Sequence, residues 1–202
     1  MPHSKKRYGM VLTEALVAIA TLAMGVLALG TITQNSIATT ILAKDYLVAR
    51  GLAKEGEEIV KNIRLTNRMQ KPTLPNCWLL PDISGSCFAA TTPNDYMKAN
   101  RYFVAYLKNG AWILEDKSSG LPNPDFPKDP TFIPFQLFSD DNGFYPQPQS
   151  TKPAGSIGSK FYRSIKPTVV TADTATFEIK VQWKDGAKTR DINRLVTMYN
   201  YL

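Results

Sequence analysis

Residues Met10 to Ile32 (MVLTEALVAIATLAMGVLALGTI) form 23 consecutive positions with one charge among them, Glu14. About 20 apolar residues are enough to span a bilayer as a helix. From Thr33 to about Asn67 the apolar positions become periodic instead of continuous. Ile37, Ile41, Val48, Leu52, Ile59 and Ile63 are spaced four and seven apart, which places them in one sector of a helix turning 100° per residue. Arg50, Lys54, Glu57, Lys61, Arg64 and Arg68 fall on the opposite side. Lys54 with Glu58 and Glu57 with Lys61 are spaced for i,i+4 pairing, worth a few tenths of a kcal/mol each. Lys44, Asp45 and Glu55 interrupt the apolar stripe. The pattern predicts one helix from Met10 to Asn67, about 87 Å long at 1.5 Å per residue. Its first half (10–32) is apolar all round and calls for lipid or other helices. Its second half (33–68) is apolar on one side and calls for a domain of its own chain.

The pattern changes beyond Asn67. Of the 14 prolines, 12 lie between Pro72 and Pro153, a density that forbids long helices and central strands. Two β-prone runs, Arg101 to Leu107 and Ala111 to Glu115, flank Asn109-Gly110, the strongest short hairpin signal. Phe135 to Phe138 reads as a short strand, and 118–134 and 140–153 read as long loops. Residues 69–159 are thus a proline-rich region carrying a hairpin and a cysteine loop. Residues 160–202 read as a three-strand antiparallel meander. Its first strand, Phe161 to Val170, holds Pro167, which suggests an edge or a break. In the second, Phe177, Ile179, Val181 and Trp183 share a face. The third carries Ile192, Leu195 and Val196, with the alternation slipping near Asn193-Arg194 as at a bulge. The expected fold class is α+β: a long N-terminal helix, its first half transmembrane, packed through its second half on a C-terminal antiparallel sheet.

A basic leader, Lys5-Lys6-Arg7-Tyr8-Gly9, precedes the apolar run. Its charges would keep the N terminus cytoplasmic and send the rest outward. An ionised side chain in a lipid-facing helix costs on the order of 3 kcal/mol, so Glu14 demands a partner. Cys77 and Cys87 enclose nine residues, and two cysteines in an exported domain favour a disulfide. The single histidine, His3, lies in the leader. Without it the commonest general base and the commonest zinc ligand are gone, and no phosphate-binding glycine loop is present. The expectation is a non-enzyme with no catalytic residue, no metal and no cofactor. Removing Lys5, Lys6 and Arg7 from the 24 basic residues leaves 21 against 17 acidic ones, a net +4. That charge is mild, and with no basic run interleaved with aromatics nucleic acid is not an expected partner.

The run Gly9-Met10-Val11-Leu12-Thr13-Glu14-Ala15-Leu16-Val17-Ala18-Ile19 resembles the start of the type IV pilin and pseudopilin family: a basic leader ending in Gly, then an apolar helix with Glu at its fifth position. The segment Gly51 to Arg64 and the Val181-x-Trp183 strand, turn and last strand are similar to minor pilins of the pilus-modification kind. The resemblance implies cleavage of leader 1–9 by prepilin peptidase between Gly9 and Met10, and N-methylation of Met10. It further implies polymerisation of a structural subunit in a pilus at the cell surface. Expected partners are other pilin subunits, prepilin peptidase, an inner-membrane assembly platform and the lipid bilayer. Two departures are Met10 where Phe is usual, and no proline about twenty residues into the mature helix, where Gly30 and Thr31 stand instead.

Glu14 fits this reading physically. The amine freed at Met10 is four residues away, roughly 6 Å along a helix, and an axially shifted copy could bring its amine to Glu14. The contact would form only in an assembly. Alternatives are a pseudopilin of a type II secretion or DNA-uptake system, a membrane-anchored surface domain that never polymerises, and a secretory signal peptide cut near Ala28-Leu29-Gly30. Asp140-Asp141-Asn142-Gly143 reads as a solvated turn lacking the carboxylate spacing of an EF-hand.

Overall fold

The computed structural model describes residues 5–85, 87, 92–117, 135–139 and 157–200, with the side chains of 5–10 excepted. The two long loops and the Asp140–Gly143 turn expected from the sequence lie outside the described residues. The chain divides into two compact units, Met1–Tyr46 and Leu47–Leu202. Helix α1, Lys5–Gln70, runs through the boundary between them, so it starts before the expected Met10 and ends three residues beyond the expected Asn67.

In the first unit the apolar run of α1 is uncovered. Every residue from Val11 to Ile41 is exposed, including Ile37 and Ile41. The apolar stripe expected from Ile37 onward is therefore not buried in its first two members.

In the second unit α1 buries Ala49, Leu52, Ala53, Ile59, Val60 and Ile63. These pack toward a sheet of six antiparallel strands: β1 Phe103–Lys108, β2 Ala111–Asp116, β3 Gln136–Ser139, β4 Ile157–Val170, β5 Thr174–Asp185 and β6 Lys188–Tyr199. The spatial order is β2-β1-β4-β5-β6, and β3 pairs with the first half of β4. Ala175, Phe177, Ile179, Val181 and Trp183 of β5 are all 0% exposed, so the alternation read from the sequence is the spine of the core. Burying Phe177, Ile179 and Val181 contributes about 1.5–3 kcal/mol each. The β1–β2 hairpin turns at Asn109 (φ 52°) and Gly110 (φ 80°). Positive φ at both central residues matches the right-handed strand twist, which is why Asn-Gly serves there.

Phe103 of β1 pairs with Ile165 of β4, joining the hairpin and the meander into one sheet. Strand β4 is central, and of the edge or break suggested by Pro167 the structure has the break, a register shift between Pro167 and Val169. The slip near Asn193-Arg194 is no bulge, since β5 and β6 pair continuously from Thr174–Tyr199 to Asp185–Lys188. The alternation is instead broken by residue type. Leu195 lies on the outer face, 69% exposed, and Arg194 points inward to Glu57 of α1.

Glu57 itself was expected on the polar side of the helix but is buried. Two strands reach α1 at this level. Arg163 of β4, fully buried, donates to the Leu52 carbonyl (3.2 Å) and pairs with Glu55 (3.1 Å). Arg194 of β6 pairs with Glu57, which also takes Lys61 at 2.7 Å. Between the two glutamates Gly56 faces Ile179 of β5. A Cβ on Gly56 would sit 2.8 Å from Ile179 Cγ2 and 3.3 Å from Arg163 Cδ, so only glycine admits the sheet this closely.

Lys61, with Arg194 beside it, holds the Glu57 carboxyl below its ordinary range against the opposing effect of burial. A lowered folded-state pKa gives stability that is present above the unfolded value, about 4.3, and lost as pH falls through the folded value. Thermal unfolding followed from pH 6 to pH 3 is expected to show a smaller loss of stability in Glu57→Gln than in the wild-type chain. Equal slopes would remove Glu57 from the acid sensitivity.

Candidate functional site: the N-terminal helix and its carboxylate

Gly9, Met10 and Glu14 are all in the backbone of α1. One helical span thus holds the expected cleavage position and the carboxylate, with Met10 and Glu14 one turn apart. Glu14 is exposed on a helix whose neighbours Val11, Leu12, Leu16, Val17 and Ile19 are exposed as well. Going forward, the next charged residue is Lys44, 30 positions on and about 45 Å away at 1.5 Å per residue. No downstream cation on the helix can reach Glu14. By length and composition the helix is able to cross a membrane.

The span is not free of polar groups. Thr21, Thr31, Thr33, Thr39 and Thr40 each donate their hydroxyl to a carbonyl three or four residues earlier, at 2.7–2.9 Å. Each hydroxyl is thereby satisfied inside the helix, which lets threonine sit in an apolar surrounding at little cost. Gly25 and Gly30 have nothing within 4 Å of a built Cβ.

The cysteine loop lies just beyond α1. A disulfide joins Cys77 and Cys87 (Cα–Cα 6.0 Å), and both are buried with Leu80. The loop is fastened to the helix by Asn67, whose amide donates to the Trp78 and Leu80 carbonyls at 3.2 and 2.9 Å. Trp78 is almost fully buried, and its indole donates to Ala172 at 3.1 Å. Tyr96 donates to the Asn76 carbonyl, and burial pushes its phenol up to about 12. Asn67, Trp78 and Tyr96 were not singled out from the sequence. Their partners are backbone carbonyls, which leave no trace in residue type.

Among the described residues no three His, Cys, Asp or Glu side chains converge on a point where a metal could sit. Charged groups of α1 and the sheet meet as the ion pairs Arg163–Glu55 and Arg194–Glu57, and their chemistry is cohesive. Comparison with family models, with curated proteins and with solved structures finds no match.

Proposed function

We propose that this chain is a structural subunit of the type IV pilin kind, most like a minor pilin. In this reading a prepilin peptidase removes residues 1–9, α1 holds the product in the inner membrane with residues 47–202 exported, and subunits polymerise through the apolar half of the helix. The observation that carries the reading is the lone Glu14, four residues past Met10, in the stretch of α1 up to Ile32 that is otherwise exposed and without charge. A carboxylate so placed is costly in lipid and gains most from a cation supplied by another molecule, because attraction strengthens as the dielectric falls. The fold supports the division of labour: one helix with an uncovered apolar half, and a disulfide-bonded α+β unit that has its own core. A pseudopilin of a secretion or DNA-uptake apparatus would share these features.

The direct test is the cleavage position. With Gly9→Val, a bulky β-branched side chain at the cut, immunoblots of membrane fractions are expected to show only the longer precursor, while the wild-type chain runs as the shorter product. Identical mobilities for both would contradict processing at Gly9.

A further inference from the structure

Strand β6 ends the sheet on one side: its inner edge pairs with β5, and among the described residues no strand pairs with its outer edge. The two-residue turn Gly186-Ala187 makes Asp185 and Lys188 a hydrogen-bonded pair, so the even-numbered residues of β6 bond to β5 and the odd-numbered ones turn their N–H and C=O outward. The Thr176 and Thr197 hydroxyls, 3.1 Å apart, mark a close non-hydrogen-bonded pair, as this parity requires. Thr189, Asp191, Asn193, Leu195 and Thr197 are all exposed and present their outward backbone groups in one row. Native sheets blunt such an edge with a proline, a bulge or a short strand. Strand β6 has 12 residues, no proline, and unbroken pairing with β5 from end to end.

The charges along the strand select the partner. Lys188, Arg190 and Arg194 stand against one carboxylate, Asp191, which leaves 3 − 1 = +2 on β6. The three cations are all even-numbered and therefore share one side of the strand. Arg190 meets Asp185 at 3.3 Å and Arg194 meets Glu57, yet their side chains stay 31% and 48% exposed. A guanidinium carries five N–H donors, so each can take a second carboxylate. A second copy of β6 laid alongside would set +2 against +2, and like charges across a strand pair repel. We propose that the outer edge of β6 is a strand-addition surface for an extended acidic segment of another protein. Its backbone bonds the row from Thr189 to Thr197 and supplies the affinity, while carboxylates at alternate positions lie beside Lys188, Arg190 and Arg194 and supply the specificity.

The test uses the full chain in lipid nanodiscs, with empty nanodiscs as the baseline, and two fluorescein-labelled peptides as long as 189–197. In one, valine alternates with glutamate; in the other, with lysine. Fluorescence anisotropy is expected to show the glutamate peptide bound at least about tenfold more tightly than the lysine peptide. With the glutamate peptide bound, hydrogen exchange is expected to slow at the amides of Thr189, Asp191, Asn193, Leu195 and Thr197. Asn193→Pro removes one outward N–H and no bond to β5, a place where an edge strand tolerates proline. It is expected to melt with the wild-type chain and to lose the glutamate peptide. Lys188→Glu, which leaves the backbone groups in place, is expected to weaken that peptide several-fold. Equal affinity for the two peptides, no binding, slowed exchange elsewhere, or full binding by Asn193→Pro would each overturn the proposal. Slowed exchange at 189–197 without peptide, growing with protein concentration, would assign the edge to a second copy and overturn it as well.

Discussion

Replacing Glu14 with alanine is expected to leave membrane insertion intact and to reduce recovery of the subunit in sheared filaments at least about tenfold, which corresponds to about 1.4 kcal/mol. The magnitude follows from the surroundings. A unit-charge pair at 4 Å attracts by about 4 kcal/mol at an effective dielectric of 20, and dehydration of both ions offsets part of that. Insertion is not expected to suffer, because alanine removes a group that costs on the order of 3 kcal/mol in lipid. The variant should partition into membranes at least as well as the wild-type chain. Glu14→Asp, which keeps the charge on a shorter stem, should recover part of the incorporation. Quantitative immunoblots of membrane and filament fractions from the same cells measure both effects. Unchanged recovery in filaments would favour a membrane-anchored domain that does not polymerise.

Gly56→Val is expected to destabilise the unit of residues 47–202 by about 2–3 kcal/mol, a loss of roughly 5–10 °C in Tm for a domain of this size. Glycine in a helix interior normally costs up to about 1 kcal/mol relative to alanine, so a substitution there begins with a gain. At Gly56 the gain is reversed by contact. The added Cβ meets Ile179 Cγ2 at 2.8 Å and Arg163 Cδ at 3.3 Å. Ile179 of β5 and Arg163 of β4 are both 0% exposed, so neither can move aside cheaply, and overpacking of this sort costs about 1–3 kcal/mol. Lifting the helix would also stretch the flanking Arg163–Glu55 and Arg194–Glu57 pairs. Gly51 supplies the control. It is exposed in the same helix with nothing within 4 Å of a built Cβ, so Gly51→Ala should stabilise by up to about 1 kcal/mol. Thermal unfolding by circular dichroism reads both; the same sign for both would refute the close-approach role of Gly56.

The parts of the fold that follow from local chemistry were legible in the sequence. Asn109-Gly110 announced the β1–β2 turn, the alternation from Phe177 to Trp183 announced β5, and the spacing of Leu52, Ile59 and Ile63 announced the buried side of α1. The disulfide followed from reading Cys77 and Cys87 as two cysteines in an exported domain. What escaped depends on partners distant in the chain. Glu57 reads as surface because it is charged, yet it is buried because Arg194, 137 positions away, faces it. Arg163 and Arg194 likewise sit on the inner side of their strands, where a pattern rule expects an apolar residue. Leu195 takes the outer side for the same reason of parity. The pairing of Phe103 with Ile165, which welds hairpin and meander into one sheet, has no local signature at all. Of the candidate site, the helix and its carboxylate were legible because one charge in an apolar run is a local contrast, whereas the clamps at Asn67 and Trp78 rest on backbone acceptors.

The central claim is that the apolar half of α1 stays with the mature chain and begins at Met10 with Glu14 retained. Mass spectrometry of the N-terminal peptide from membrane-extracted or filament-borne protein tests it most directly. The account predicts a peptide starting at N-methylated Met10. A mature chain starting near Thr31, or one that keeps Met1 to Gly9, would contradict it.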